Sequence, residues 1–216
     1  MIRTYDEFVD LLNEKGFLLL TGRDYLSVEQ VTDVDNWYTD TPLDPWSWKD
    51  KLATRRDGAY SHMFAGQCGF ISREWFPMFY AAYSIDIYDE YDAGLVPKLA
   101  MNMWELFEER PVWGRPDLRH ALTGRYEKKS EFESALKYLE RAMLTTISGQ
   151  VQPVSMLGKP MGWPALEYSR TDTYLADWLE GGEQDAAKAR QIIRARAEEN
   201  FPALKKSACA RYFGRD

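Results

Sequence analysis

Between Lys98 and Tyr168 the chain carries three helical signals in close succession and then a hairpin signal, an order that few folds accept over so short a span. After Pro97, residues Leu99, Met103, Leu106 and Phe107 recur at helical spacing, with Asn102, Glu105 and Glu109 on the outer side. Pro111 to Gly114 is too short for a helix and reads as a turn or a stub of strand. Pro116 suits a first helical turn, where its missing N–H loses no partner, and Leu118, Ala121 and Leu122 carry that helix to a stop at Gly124.

A third helix is expected from Ser130, where Ser130 and Glu133 fit a capping box and Phe132, Ala135, Leu136, Leu139 and Met143 form one apolar face. The β-branched run Thr145-Thr146-Ile147 then predicts a strand that stops at Ser148-Gly149, and a second strand returns over Trp163 to Ser169. This is the order of a winged helix-turn-helix. The predicted fold class is therefore α+β, with a winged-helix core, an N-terminal helix and hairpin region, and a C-terminal helix.

In such a core the third helix presents its solvent face to the major groove of duplex DNA. Candidate nucleic-acid contacts are Arg119, Arg125, Lys128, Lys129, Lys137, Tyr138, Arg141 and Lys159. Residues 111–149 hold seven basic and five acidic residues, a local net of +2, whereas the whole chain carries −7. Because phosphate neutralisation supplies most of the affinity for DNA, that overall charge and Glu131, Glu133 and Glu140 on the third helix weigh against DNA.

The remaining sequence bounds the problem more than it solves it. With 216 residues and 45% hydrophobic content the chain can bury a full core, and no apolar run approaches the length of a membrane span. The start lacks the pattern of a secretory signal, so a cytoplasmic location is expected. Cys68 and Cys209 sit at no metal-ligand spacing, His62 and His120 are isolated, and neither a metal nor a cofactor is expected. No phosphate loop, nucleophile elbow or dinucleotide fingerprint is present.

Thr4 to Glu7 forms a capping box for a first helix, Phe17 to Leu20 reads as a buried strand, and Ser27 opens a short helix. Asp44-Pro45 starts another helix, Ala59–Phe64 and Cys68–Ile71 pair as a hairpin, and Ser72 is placed to cap the helix that follows. A last helix spans Ala186 to Asn200. The basic residues Lys188, Arg190, Arg194, Arg196, Lys205, Lys206, Arg211 and Arg215 are read as a solvated face that pairs with acidic surface of the same chain. The sequence shows no internal repeat. Three regions result, at 1–96, 97–170 and 171–216.

The strings Asp44-Pro45-Trp46-Ser47-Trp48-Lys49, Ala59-Tyr60 and Gly69-Phe70-Ile71-Ser72-Arg73-Glu74-Trp75-Phe76-Pro77 resemble the N-terminal signature of small bacterial proteins called AlkZ-related. Leu106-Phe107-Glu108-Glu109 and Gly162-Trp163-Pro164 extend the likeness over residues 5–180. The resemblance implies a winged-helix architecture distantly akin to the AlkZ DNA glycosylases, which excise alkylated bases with a Gln-apolar-Gln motif. One such string is present, Gln150-Val151-Gln152, in the expected wing.

A glycosylase also needs aromatic rings to stack a flipped base and a group to polarise water. Trp46, Trp48, Tyr60 and Trp75 are the candidate aromatic pocket, with Asp44, Asp50 or Glu74 as the carboxylate. Trp46 and Trp48 stand two apart and cannot share a helix face, so one of them is expected to be buried. Three functions follow in order: a DNA-binding, repair-related protein; a non-catalytic protein-interaction or small-ligand module; and a glycosylase-like hydrolase.

Overall fold

The computed structural model describes residues 1–155, 158–180 and 185–214, so Arg215 of the basic C-terminal group lies outside the described residues. Helix α1 (Tyr5–Lys15) opens with the capping box of Thr4 and Glu7 and is followed by β1 (Phe17–Leu19), α2 (Val28–Val31) and α3 (Pro45–Arg55). The hairpin β2 (Gly58–Phe64) and β3 (Gln67–Ser72) turns on Ala65 and Gly66, both at positive φ. Gly69 on β3 has no room for a side chain, since a Cβ there would come 2.4 Å from the Phe64 ring and 2.7 Å from the Leu18 carbonyl oxygen.

Two short helices, α4 (Phe76–Tyr83) and α5 (Ile87–Asp92), lead to α6 (Lys98–Glu109), β4 (Val112–Gly114), α7 (Arg115–Ala121) and α8 (Lys129–Arg141). Strands β5 (Thr145–Val151) and β6 (Ala165–Arg170) follow, then α9 (Thr171–Tyr174), α10 (Ala186–Asn200) and α11 (Lys206–Phe213). The strands form one six-stranded antiparallel sheet in the order β1-β3-β2-β5-β6-β4.

That order reads the same from either edge. Each half follows one path: helix, edge strand, helix, helix, central strand, then a strand inserted between the two. The halves meet where Tyr60 of β2 pairs with Ile147 of β5. The helices before the central strands, α3 and α8, end alike, each followed by a non-glycine residue at positive φ, Arg56 at 58° and Met143 at 57°. Counting back from those residues, Trp48-Lys49 and Leu52-Ala53 are buried in α3, and Ala135-Leu136 and Leu139-Glu140 at the same offsets in α8. The chain path is thus duplicated although the residues are not.

Helices cover both faces of the sheet. On one, Leu18, Tyr60, Phe70, Ile147 and Tyr168 pack beneath Phe8, Leu12, Trp48, Leu52, Phe107, Leu118, Phe132 and Leu136. On the other, Phe17, Phe64 and Ile71 meet Phe79, Trp178, Ile193 and Phe213, from α4, the turn after α9, α10 and α11. Alternation along the strands produces the split, and each large apolar side chain so buried contributes roughly 1.5–3 kcal/mol before the entropy of ordering is subtracted.

Three local expectations are corrected. The Ser130 capping box does not form, because the helix already begins at Lys129 and the Glu131 carboxylate accepts from the Glu127 N–H, ahead of the cap. Ser72 ends β3 and caps nothing, and α4 begins after Trp75 with no side-chain cap. Strand β5 does not stop at Ser148-Gly149 but runs on to Val151 through a register shift between Ile147 and Gly149.

Candidate nucleic-acid interface

Helix α8 lays Phe132, Ala135, Leu136 and Leu139 on the core, and this turns Ser130, Ser134, Lys137, Tyr138 and Arg141 outward. These outward residues form one wall of an open groove of about 620 Å³. Pro97 and Leu99 at the start of α6, Arg125 from the loop before α8, and Ala65 and Gly66 of the β2–β3 turn supply the others. A second hollow of about 560 Å³ shares Leu99 and Arg125 and adds Lys98 and Asn102.

The groove therefore gathers Arg125, Lys137, Tyr138 and Arg141, four of the eight expected nucleic-acid contacts, and a neighbouring cation, Lys98, that sequence reasoning missed. Among the described residues no carboxylate pairs with Arg125, Lys137 or Arg141. Arg119 is exposed with its guanidinium 5.9 Å from the Phe132 ring, and Lys128 and Lys129 are exposed at the start of α8, outside the groove. Lys159 is exposed in the β5–β6 loop.

The acidic residues of α8 do not all face the groove. Glu133 is ion-paired with Arg115. Glu140 is buried against the sheet, where Ser61 Oγ donates at 2.7 Å, the His62 N–H at 3.2 Å, and His62 Nδ1 lies 2.9 Å from both carboxylate oxygens. Only Glu131 lines the groove beside the three cations. A charged residue four places after Leu136, on the apolar stripe, was the sequence signal for the buried position.

Burial opposes a charge on the His62 ring, yet hydrogen bonds to Cys68 and Glu140 outweigh it and push the imidazole pKa up to about 10. The His62–Glu140 contact joins β2 of the first half to α8 of the second. Tyr60 and Tyr168 close this junction, and burial holds both phenols well above their ordinary range.

The four expected aromatic residues do not come together. Trp48 is buried and stacks on Phe8, Tyr60 is buried and stacks on Phe70, and Trp75 meets Phe17 edge-on on the opposite face of the sheet. Trp46 is exposed and instead joins Trp37 and Tyr38, with its ring centroid 5.0 Å from that of Tyr38. Of the suggested carboxylates, Asp44 is buried and accepts the N–H groups of Tyr38, Asp40 and Trp46, and Asp50 pairs with Lys49. Glu74 is exposed.

Gln150 is exposed on β5 opposite Leu166. The Gln152 amide donates to the carbonyls of Pro153, Met161 and Gly162 and so ties the β5–β6 loop together. The basic C-terminal region is engaged within the chain: Arg190 donates to the Ala82 carbonyl, Arg196 to the carbonyls of Glu14 and Lys15, and Arg211 pairs with Asp24.

No helix among the described residues is long and apolar enough to cross a membrane, and none of their His, Cys, Asp and Glu side chains group so as to hold a metal ion. No curated protein and no solved structure matches the chain. A family model described as AlkZ related matches residues 2–214, essentially the whole length, so the chain belongs to the AlkZ-related family.

Proposed function

We propose that this chain is a nucleic-acid-binding protein with a repair-related role, in which duplex DNA lies along the groove between α6, α8 and the β2–β3 turn. The observation that carries this reading is the convergence of Arg125, Lys137 and Arg141 on one open surface with no carboxylate partner among the described residues. Unpaired cations of this kind release counterions when they meet phosphates, and Tyr138 adds a ring that can stack or hydrogen bond. The path α6–β4–α7–α8–β5–β6, with β6 between β4 and β5, supports a winged-helix reading of the second half. Membership of the AlkZ-related family supports the link to repair. Titration of labelled duplex DNA at about 50 mM salt tests the proposal: the protein should bind, and Arg125→Glu combined with Lys137→Glu and Arg141→Glu should abolish binding. Equal binding by the triple variant removes the groove from the interface.

A protein-interaction role finds its own support on the first half. Tyr38 is 69% exposed beside Trp46, and Asp33, Asp35 and Asp40 share its loop. Tyr38 and Asp40 are both held at positive φ, at 61° and 53°, by the Asp44 carboxylate. An exposed, fixed aromatic pair among carboxylates suits a basic protein segment rather than a phosphate. The hydrolase reading has less behind it, since the Gln152 amide is spent on backbone carbonyls.

A further inference from the structure

The β5–β6 loop is firmly built, yet it carries a ring that the chain itself leaves unused. The Gln152 amide donates to the carbonyls of Pro153, Met161 and Gly162, the Met161 N–H donates to the Pro153 carbonyl at 2.8 Å, and Val154 bridges Pro160. On that frame Trp163 is 90% exposed, more than any other large apolar side chain among the described residues, and none of them gives it a ring or hydrogen-bond partner. Val154 and Met161 of the same loop are exposed as well, and a Cβ on Gly162 would meet nothing within 4 Å. The string Gly162-Trp163-Pro164 thus differs from those that hold Trp48 and Tyr60, which are core. An indole left in water on an ordered support adds nothing to the fold and loses little freedom when a partner covers it.

Charge and position suit DNA as that partner. In a chain of net charge −7, no acidic residue stands between Glu140 and Glu167, and Lys159 lies in the loop itself. Helix α8 runs to the turn at Met143 and β5 returns from it, so the loop after β5 emerges at the end where α8 begins. Gly114 and Arg115 tie the two together: a Cβ on Gly114 would come 2.7 Å from Val151 Cγ1, and Arg115 is paired with Glu133 of α8. Lys128 and Lys129 are exposed at that end, and Arg125 lines the groove just ahead of them. A duplex that follows α8 towards its first turn therefore approaches the loop that carries Trp163.

We propose that Trp163 stacks on an unpaired base of the bound DNA, so that the protein favours a duplex with a bulged or mismatched base over an intact one. This rests on the groove holding the duplex, and it names the kind of duplex held. In intact DNA both faces of every base are covered by their neighbours, and a side chain that enters must first pry a step apart. Where a base is already unpaired that cost is absent while the gain from stacking remains. The groove cations meet phosphates, which both kinds of duplex present alike, so the discrimination falls to the indole.

The test uses the full chain and two labelled duplexes at about 50 mM salt, one intact and one with a single unpaired 2-aminopurine at its centre, read by anisotropy and by 2-aminopurine emission. The native chain should bind the bulged duplex about tenfold more tightly, as expected of one ring stacking on one base, and should quench the emission. Trp163→Ala should bring the two affinities within about twofold of each other and remove the quenching, whereas Trp163→Phe should keep part of both. Equal affinity of the native chain for the two duplexes, or a preference that survives Trp163→Ala, overturns the proposal and leaves the exposed ring to a protein contact. Binding of neither duplex overturns it together with the groove, so the two failures are told apart.

Discussion

The two halves of the sheet follow the same path yet expose opposite chemistry. Measured back from the positive-φ residue that ends each helix, Lys137 of α8 stands where α3 has Asp50, and Arg141 where α3 has Thr54. The buried positions differ as sharply, with Glu140 in place of Ala53 and Leu136 in place of Lys49. One backbone plan therefore supports a cationic groove in the second half and an acidic, aromatic surface in the first. Fold alone does not assign the function. What differs is where the charges stand: α8 sets Lys137 and Arg141 on the groove, whereas α3 has Asp50 and Thr54 at the matching places.

Exchange of the outward residues is the strongest way to break the comparison. Lys137→Asp with Arg141→Thr gives α8 the residues that α3 carries at those two positions, and affinity for duplex DNA at low salt should fall roughly 100-fold, measured by fluorescence anisotropy. A loss smaller than about threefold would mean that the two halves do not differ in the way their charges indicate.

The buried difference should appear in stability. Glu140→Ala copies the residue of the first half but strands Ser61 and a charged His62, and should cost about 3 kcal/mol in chemical denaturation. An unchanged midpoint would show that the His62–Glu140 contact does not hold the halves together. The same pair predicts a pH dependence. The folded-state pKa of His62, about 10, lies above the unfolded value near 6.5, so its contribution is complete below about 6.5 and is lost as pH rises through about 10. Denaturation midpoints should fall across that window, and His62→Gln should flatten the fall. The smallest effect belongs to the first half, where Lys51→Glu with Arg55→Glu should change DNA affinity by less than about twofold, because these cations lie outside the groove.

The second half was legible in the sequence because its helices are amphipathic and its short stub, Val112 to Gly114, is bounded by Pro111 and Pro116. The end of β5 was misjudged at Ser148-Gly149 because a bulge lets a strand continue through residues that ordinarily end one. The duplication was not legible. Burial pattern and backbone path recur, but Trp48 and Lys49 occupy the places of Ala135 and Leu136, so residue-by-residue similarity is absent.

The basic residues of the groove were likewise legible, but not which of them converge. That depends on Ala65 and Gly66, some sixty residues earlier, whose two-residue turn carries the first hairpin up to α8. Glu140 was weighed with Glu131 and Glu133 against DNA because a count by type ignores helix phase. The aromatic residues misled for the same reason: the strings that carry the family likeness hold Trp48 and Tyr60 as core, whereas the partners of Trp46, the half-buried Trp37 and the exposed Tyr38, lie in a loop.

The most direct test is the salt dependence of duplex DNA binding by the native chain. With three groove cations meeting phosphates, the logarithm of the binding constant should fall with the logarithm of salt concentration at a slope near −3, about 0.9 per contact. The slope should shrink by about two in the Lys137→Asp, Arg141→Thr chain. A slope near zero, or one that the exchange leaves unchanged, contradicts the assignment of DNA to this groove.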